Sequence, residues 1–181
     1  GLAGILLVFN QTVARSADYL AALDLDGDGV DEIVSHSWGS GGDVWGLSAP
    51  GALFHRSALP TAAAGYNDLA VGDLNSDGRA DLAVMSGQLY SAPNLSVFSG
   101  DGAGGLSAAQ SYFVGSNETT RGVAIGDVTG DGRDDVVLSR GRNSPTWIWV
   151  YEQNGQGELV GPRQVPSYDI PSDLAVVDLE G

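Results

Sequence analysis

The stretch that decides the fold is Asp24-Leu25-Asp26-Gly27-Asp28-Gly29-Val30-Asp31-Glu32. It recurs as DLNSDGRAD at residues 73–81 and as DVTGDGRDD at residues 127–135, and a fourth copy begins with DLEG at residues 178–181. The copies begin about fifty residues apart, and a period of that length is typical of a repeat architecture. The chain is therefore a set of repeated units, each built around one acidic loop.

Each acidic loop has the donor pattern of a calcium site. Oxygen-bearing side chains occupy its first, third and fifth positions, glycine its sixth and an acid its ninth. Alternate residues of a tight loop point inward, and the sixth-position glycine permits the positive φ that folds the loop back. The seventh position would offer its backbone carbonyl, and the ninth acid would close the cage. Hard oxygen donors without Cys or paired His favour Ca²⁺ over zinc or copper, and over magnesium, which keeps more waters.

The predicted calcium ligands are therefore fifteen residues in three loops: Asp24, Asp26, Asp28, Val30 and Glu32; Asp73, Asn75, Asp77, Arg79 and Asp81; and Asp127, Thr129, Asp131, Arg133 and Asp135. A hydroxyl is a weaker ligand than a carboxylate or an amide, so we expect the third loop, with Thr129, to bind most weakly. The alternative is an acidic turn without metal. Three loops with one donor pattern make that alternative less favoured, because clustered carboxylates repel each other.

The residues around the loops predict strands and exclude the EF-hand. An EF-hand loop needs a Glu at position twelve and a helix on each side, but position twelve is Ser35, Val84 or Leu138. The flanking apolar runs are short and bounded by glycine and aspartate, as strands are. Each repeat reads as four strands, with the fourth at about residues 53–57, 106–113 and 158–165.

Four antiparallel strands at this period match the blade of a β-propeller. The sequence predicts an all-β fold with blades at 19–64, 65–117 and 118–168, and partial edge blades at 1–18 and 169–181. In the partial blades, residues 5–9 would form a last strand and residues 174–177 a first strand. A ring needs at least four blades. We therefore expect a segment of a larger propeller, or self-association through the open blade edges.

The motif DxDxDGxxD between apolar strands resembles the FG-GAP or VCBS repeat of integrin-α-like β-propellers, over nearly the whole chain. The resemblance implies a calcium-binding propeller. The resemblance says little about function, because such propellers serve adhesion, sugar binding and scaffolding alike. Glu32 departs from the pattern, since Asp is usual at that position.

The loops at the end of each blade opposite the acidic motifs are the candidate ligand surface. Aromatic and arginine side chains in such loops suit protein or sugar recognition; the candidates are Trp38, Tyr66, Tyr90, Arg140 and Arg142. In integrin-like propellers the ligand face is this one, as the resemblance implies. Ordinary polar loops are the alternative. Trp147, Trp149 and Tyr151 alternate along one strand and share a face; packing between blades is favoured over a sugar platform.

Composition limits the function classes. The formal net charge is −15, from 23 acidic and 8 basic residues. Such a charge argues against nucleic acid, which needs clustered basic side chains. The chain has no cysteine and no stretch as long as a membrane-spanning helix, so we expect no membrane insertion. Weak loop sites suit the millimolar calcium found outside cells, which favours a secreted or cell-surface protein.

No motif for a nucleophile or an acid–base pair is present, so we expect a non-catalytic module for protein or glycan recognition or adhesion. Two alternatives stay open. One is a structural spacer in a larger surface protein, and the other is the propeller part of a polysaccharide lyase.

Overall fold

The computed structural model describes residues 19–37, 41–48, 52–59, 66–86, 94–114, 120–140, 146–168 and 174–177. Twelve strands and no helix lie within these ranges, so none of the described residues belongs to a helix that could cross a membrane. The strands are β1 Tyr19–Leu23, β2 Glu32–Ser37, β3 Gly41–Ser48, β4 Ala52–Ala58, β5 Tyr66–Gly72, β6 Asp81–Ser86, β7 Asn94–Phe98, β8 Gln110–Phe113, β9 Thr120–Gly126, β10 Asp135–Arg140, β11 Thr146–Gln153 and β12 Leu159–Ser167.

The strands form three sheets of four consecutive antiparallel strands each: β1–β4, β5–β8 and β9–β12. The prediction of an all-β fold with four-stranded antiparallel blades is confirmed. The sheets are called blades 1, 2 and 3 below. The exact boundaries between blades stay a prediction, because residues 60–65 and 115–119 lie outside the described ranges.

One strand is shorter than the sequence predicts. The fourth strand of blade 2 begins at Gln110, and Leu106 forms only an isolated bridge with Gly100. Between those two residues Asp101 accepts hydrogen bonds from the backbone N–H groups of Ala103 and Gly105, at 2.7 and 2.9 Å. After Leu106, the hydroxyl of Ser107 accepts the backbone N–H of Ser99 at 3.0 Å. A side chain thus takes the place of the backbone acceptor that a continuous strand would have offered.

The blades pack face to face through their apolar side chains. Blades 1 and 2 share a cluster that includes Leu23, Val34 and Phe98, and blades 2 and 3 share a second cluster that includes Met85 and Leu138. Strand β5 lies against both β1 and β9, so the first strand of each blade faces the first strand of the next. This is the side-by-side arrangement of propeller blades, and the described residues do not close it into a ring.

The first strands approach closely where glycine ends a strand. A Cβ on Gly72 would lie 2.2 Å from Ile125 Cγ2, and one on Gly126 would lie 2.7 Å from Val176 Cγ1. Residues 174–177 therefore lie beside β9, where the sequence places the first strand of a following blade. They adopt no strand, however, because no second strand pairs with them among the described residues. The predicted strand at residues 5–9 lies outside the described ranges.

Candidate metal centre: three acidic loops at one rim

Each acidic loop connects the first and second strands of a blade, and the first loop gathers three carboxylates. One oxygen from each of Asp24, Asp26 and Asp28 lies within 4.8 Å of the other two. Asp24 organises this loop by accepting the backbone N–H groups of Gly27 at 2.7 Å and Gly29 at 2.9 Å. The structure thus brings the first, third and fifth positions together as the sequence predicts.

The first-position carboxylate plays the same part in the other two loops. Asp73 accepts the N–H of Gly78 at 2.8 Å, and Asp127 accepts the N–H of Gly132 at 2.7 Å. In the first and third loops, such bonds favour the ionised carboxylate. The N–H of Gly29 accordingly lowers the pKa of Asp24, and that of Gly132 lowers the pKa of Asp127.

The backbone of the loops confirms the predicted role of the sixth-position glycine. Its φ is +82° at Gly29, +80° at Gly78 and +80° at Gly132. The fourth position also has a positive φ, which the sequence analysis missed although Gly27 and Gly130 stand there. In the second loop this position is Ser76, with a φ of +58°. A non-glycine residue in this region carries a steric cost.

The ninth-position acid is buried under the loop in all three copies. It accepts the backbone N–H of the loop's second residue: Leu25 to Glu32 at 3.1 Å, Leu74 to Asp81 at 2.9 Å, and Val128 to Asp135 at 3.1 Å. Its ligation of calcium stays a prediction. What the structure adds is a structural role that the motif did not reveal, because the partners are backbone groups.

The second oxygen of the ninth acid separates the first loop from the other two. Asp81 accepts the N–H of Gly100 at 3.1 Å, and Asp135 accepts the N–H of Gln153 at 2.9 Å. Gly100 follows the third strand of blade 2, and Gln153 ends the third strand of blade 3. The acidic loops and the turns between the third and fourth strands therefore share one rim. In the first loop the longer Glu32 instead contacts the Arg56 guanidinium, at 3.0 Å.

Burial changes the acidity of two of these groups. Burial raises the pKa of Asp81 to about 6, against the opposing effect of its two backbone hydrogen bonds. Burial also raises the pKa of Glu32, which the N–H of Leu25 and the charge of Arg56 oppose. A carboxyl with a pKa near 6 is mostly ionised at neutral pH.

Arg56 is a residue of this site that the sequence analysis missed, because it lies on β4, far from the loop in sequence. Besides Glu32, its Nη1 contacts Asp26 Oδ2 at 3.2 Å and donates to the carbonyl of Ala103 in blade 2 at 3.0 Å. No local pattern signals such a contact. The guanidinium joins the first loop to the neighbouring blade.

The donor set of the first loop fits a cation. Asp26 Oδ1 is buried and has no hydrogen-bond partner among the described residues, and a buried polar atom without a partner costs free energy. It belongs to the same three carboxylates that converge within 4.8 Å. A hard cation held by Asp24, Asp26 and Asp28 would satisfy that oxygen and offset the repulsion within the trio.

The opposite rim differs from the expectation at Arg140. The sequence places this residue in a loop, but it ends β10, is only 9% exposed, and stacks on Trp149 with its guanidinium carbon 4.1 Å from the ring centre. Tyr66 begins β5, and its side chain is not described. The other candidates, Trp38, Tyr90 and Arg142, lie outside the described ranges.

The aromatic stripe of β11 packs between blades. Trp149 and Tyr151 are buried in the cluster that blades 2 and 3 share, and Trp147 packs against it. Tyr151 meets Tyr112 of blade 2 edge to face, with 5.7 Å between ring centres. The favoured prediction of packing is confirmed, and these rings form no exposed sugar platform.

Four-stranded blades with an acidic loop after each first strand define a β-propeller segment built from repeats. The chain belongs to the FG-GAP-like repeat family, whose model matches residues 24–84 and 127–181. No curated protein matches the chain. Among solved structures, the rhamnogalacturonan lyase PL11 of Bacillus licheniformis is similar over 92% of this chain, with a TM-score of 0.58 and 18% identity. That likeness shows the fold alone, and the chain spans only 38% of the lyase's length.

Proposed function

We propose that the chain is a calcium-binding β-propeller module that recognises a protein or a glycan outside the cell and has no catalytic role. The observation that carries the calcium part is the convergent trio of Asp24, Asp26 and Asp28, with its buried, unpartnered oxygen. Membership of the FG-GAP-like repeat family supports it. The opposite rim is the proposed recognition surface. At the acidic rim, the loops and turns are already hydrogen-bonded to each other and hold the blades together.

The chain's own residues prepare the loop for the ion. Asp24 holds the loop closed through the N–H groups of Gly27 and Gly29, and Asp28 accepts the N–H of Val30 at 2.7 Å. A bound calcium ion would supply positive charge where three negative charges meet. Because the loop joins the first two strands of a blade, fixing it would stabilise the whole blade.

Thermal unfolding in excess calcium and in EDTA tests the calcium part. A ligand that binds only the folded state stabilises it by about 2.7 kcal/mol at a hundredfold excess over Kd. We expect calcium to raise the unfolding midpoint, and Asp28→Asn to remove part of the rise. Asp101→Asn is the matched control, since it makes the same charge change in a turn of the same rim. A midpoint that calcium leaves unchanged would contradict the proposal.

The recognition part is tested separately with a glycan array and with binding to extracellular matrix proteins, both in calcium. Specific binding that EDTA abolishes is expected. A protein that binds neither class, yet is stabilised by calcium, would instead be a structural spacer.

A second candidate function is favoured by one comparison. The similar solved structure is a rhamnogalacturonan lyase, so the chain is alternatively the propeller part of an enzyme acting on acidic polysaccharides. Release of unsaturated sugar products from rhamnogalacturonan by the protein that contains this chain would support the candidate. Binding of the polysaccharide without any product would favour the non-catalytic module.

A further inference from the structure

The seventh position distinguishes the second and third loops from the first. It is Arg79 in the second loop and Arg133 in the third, whereas it is Val30 in the first. The sequence suggests that only the backbone carbonyl of this position matters. In the structure the two arginine side chains fold back over their own loops.

Each of these guanidinium groups pairs with the fifth-position carboxylate. Arg79 Nη2 donates to Asp77 Oδ2 at 2.6 Å, and Arg133 Nη2 contacts Asp131 Oδ2. The other oxygen of each carboxylate accepts the backbone N–H of the same arginine, at 2.9 and 3.0 Å. Both oxygens of a predicted calcium ligand are thus held by one residue.

The same side chains are anchored at their other end. Arg79 Nε donates to the carbonyl of Gly100 at 3.4 Å, and Arg133 Nε donates to the carbonyl of Gln153 at 3.1 Å. Both carbonyls lie where the third strand of the same blade ends and the turn to the fourth strand begins. The anchoring holds the guanidinium over the loop and reduces the entropy lost when it pairs with the carboxylate.

Among the residues that the structure describes, no guanidinium contacts the fifth-position carboxylate of the first loop. Asp28 accepts the backbone N–H of Val30, and the Val30 side chain has no donor. Arg56 does reach this loop, but it contacts Asp26 and Glu32 rather than Asp28. It leaves Asp26 Oδ1 without a partner, and it leaves the three carboxylates convergent.

We propose that Arg79 and Arg133 act as built-in cations that compete with calcium in the second and third loops, so that the first loop is the strongest calcium site of the three. This inference rests on the proposed calcium function and concerns how affinity is distributed among the loops. The residue at the seventh position, rather than the residue at the third, is then the main determinant of the calcium affinity of a loop.

The size of the effect follows from the exposure of the pairs. Calcium must displace the guanidinium from the carboxylate or bind beside a like charge. Exposed ion pairs are weak, so the competition corresponds to about a three- to tenfold loss of calcium affinity in each loop. Such a difference separates the loops in a titration without abolishing binding at the second and third.

A calcium titration followed by NMR tests the inference, because the amide signals of Gly29, Gly78 and Gly132 report on the three loops separately. In the unmodified chain we expect Gly29 to respond at the lowest calcium concentration. In the double variant Arg79→Met with Arg133→Met, the responses of Gly78 and Gly132 should move to about three- to tenfold lower calcium. Arg163→Met, which removes a surface arginine paired with Glu152, is the control and should change nothing.

Val30→Arg supplies the converse test at an exposed position, where folding is not at risk. It should weaken the first loop by a similar factor and leave the other two unchanged. Superimposable titrations for the unmodified chain and the double variant would overturn this inference while leaving the calcium function intact. If no glycine signal responds to calcium in any of these proteins, both the proposed function and this inference are wrong.

Discussion

The first acidic loop differs from the second and third in the groups that hold its ninth-position acid. All three bury the ninth-position acid beneath the loop. Asp81 and Asp135 use both oxygens to accept backbone N–H groups of their own blade. Glu32, one methylene longer, gives one oxygen to Arg56, which also binds blade 2. One extra methylene therefore changes a support within a blade into a connection between blades.

The largest expected loss of stability follows from removing the ninth-position acid that supports a loop within its blade. Asp135→Ala leaves the N–H groups of Val128 and Gln153 without their acceptor, and each unsatisfied buried donor costs about 1–3 kcal/mol. We expect the free energy of unfolding in EDTA to fall by about 4 kcal/mol, measured by urea denaturation. Asp101→Ala, in an exposed turn, should cost far less. Equal losses for the two variants would show that the ninth acid has no special structural role.

The next largest loss of stability is expected from removing Arg56, which connects blade 1 to blade 2. Arg56→Met keeps an unbranched apolar stem but leaves the buried Glu32 carboxylate without its charged partner, which costs about 3 kcal/mol. Arg79→Met, which removes a more exposed arginine, should cost below about 1 kcal/mol. Urea denaturation of both variants in EDTA measures the difference. A smaller loss for Arg56→Met than for Arg79→Met would contradict the distinction between the first loop and the second.

The ninth-position acid of the second loop, Asp81, makes the stability of the fold depend on pH. Its folded pKa of about 6 lies above the usual value of 3.8, so the folded state binds more protons between these limits. The contribution of Asp81 to stability is then full below about pH 4 and is lost as the pH rises through 6, by at most about 3 kcal/mol. Asp24 and Asp127, with lowered pKa values, act in the opposite direction and only at lower pH.

Asp81→Asn separates this contribution from the rest of the titration. The variant cannot titrate at position 81, so its stability in EDTA should fall less between pH 4 and 6.5 than that of the unmodified chain. Its absolute stability should be lower, because an amide offers only one acceptor oxygen to the two N–H groups. Parallel pH profiles for the two proteins would mean that burial does not raise this pKa.

The smallest expected effect concerns the fourth loop position, which is Ser76 only in the second loop. Ser76 also donates a hydrogen bond from its hydroxyl to Gln153 of blade 3. Ser76→Gly and Ser76→Ala both remove that bond, but only alanine keeps the steric cost of a positive φ. We expect Ser76→Gly to be more stable than Ser76→Ala by about 1 kcal/mol, measured as a difference in urea midpoint. Each variant is the control for the other, because both lack the serine hydroxyl.

Prediction from sequence succeeded where the signal was local. The spacing of the loops indicated the repeats, and short apolar runs bounded by glycine and aspartate placed the strands. Glycine at the sixth position predicted the positive φ of Gly29, Gly78 and Gly132. It failed at Arg140, which the structure buries against Trp149, and at Leu106, which forms an isolated bridge instead of beginning the fourth strand of blade 2. Both errors arise next to strand ends, where the pattern of apolar residues says least about which backbone groups will pair.

By itself, the sequence determined the repeat, the four-stranded blade and the acidic loop, because each depends on residues within a few positions of one another. Only the tertiary structure decided the partners of the loop: the backbone N–H of Gly100 for Asp81, the guanidinium of Arg56 for Glu32, and the carbonyl of Gly100 for Arg79. These partners lie about twenty residues or more away along the chain, and strand pairing brings them beside the loop. Hydrogen bonds and charge pairs act over a few ångströms in space, whatever the separation in sequence.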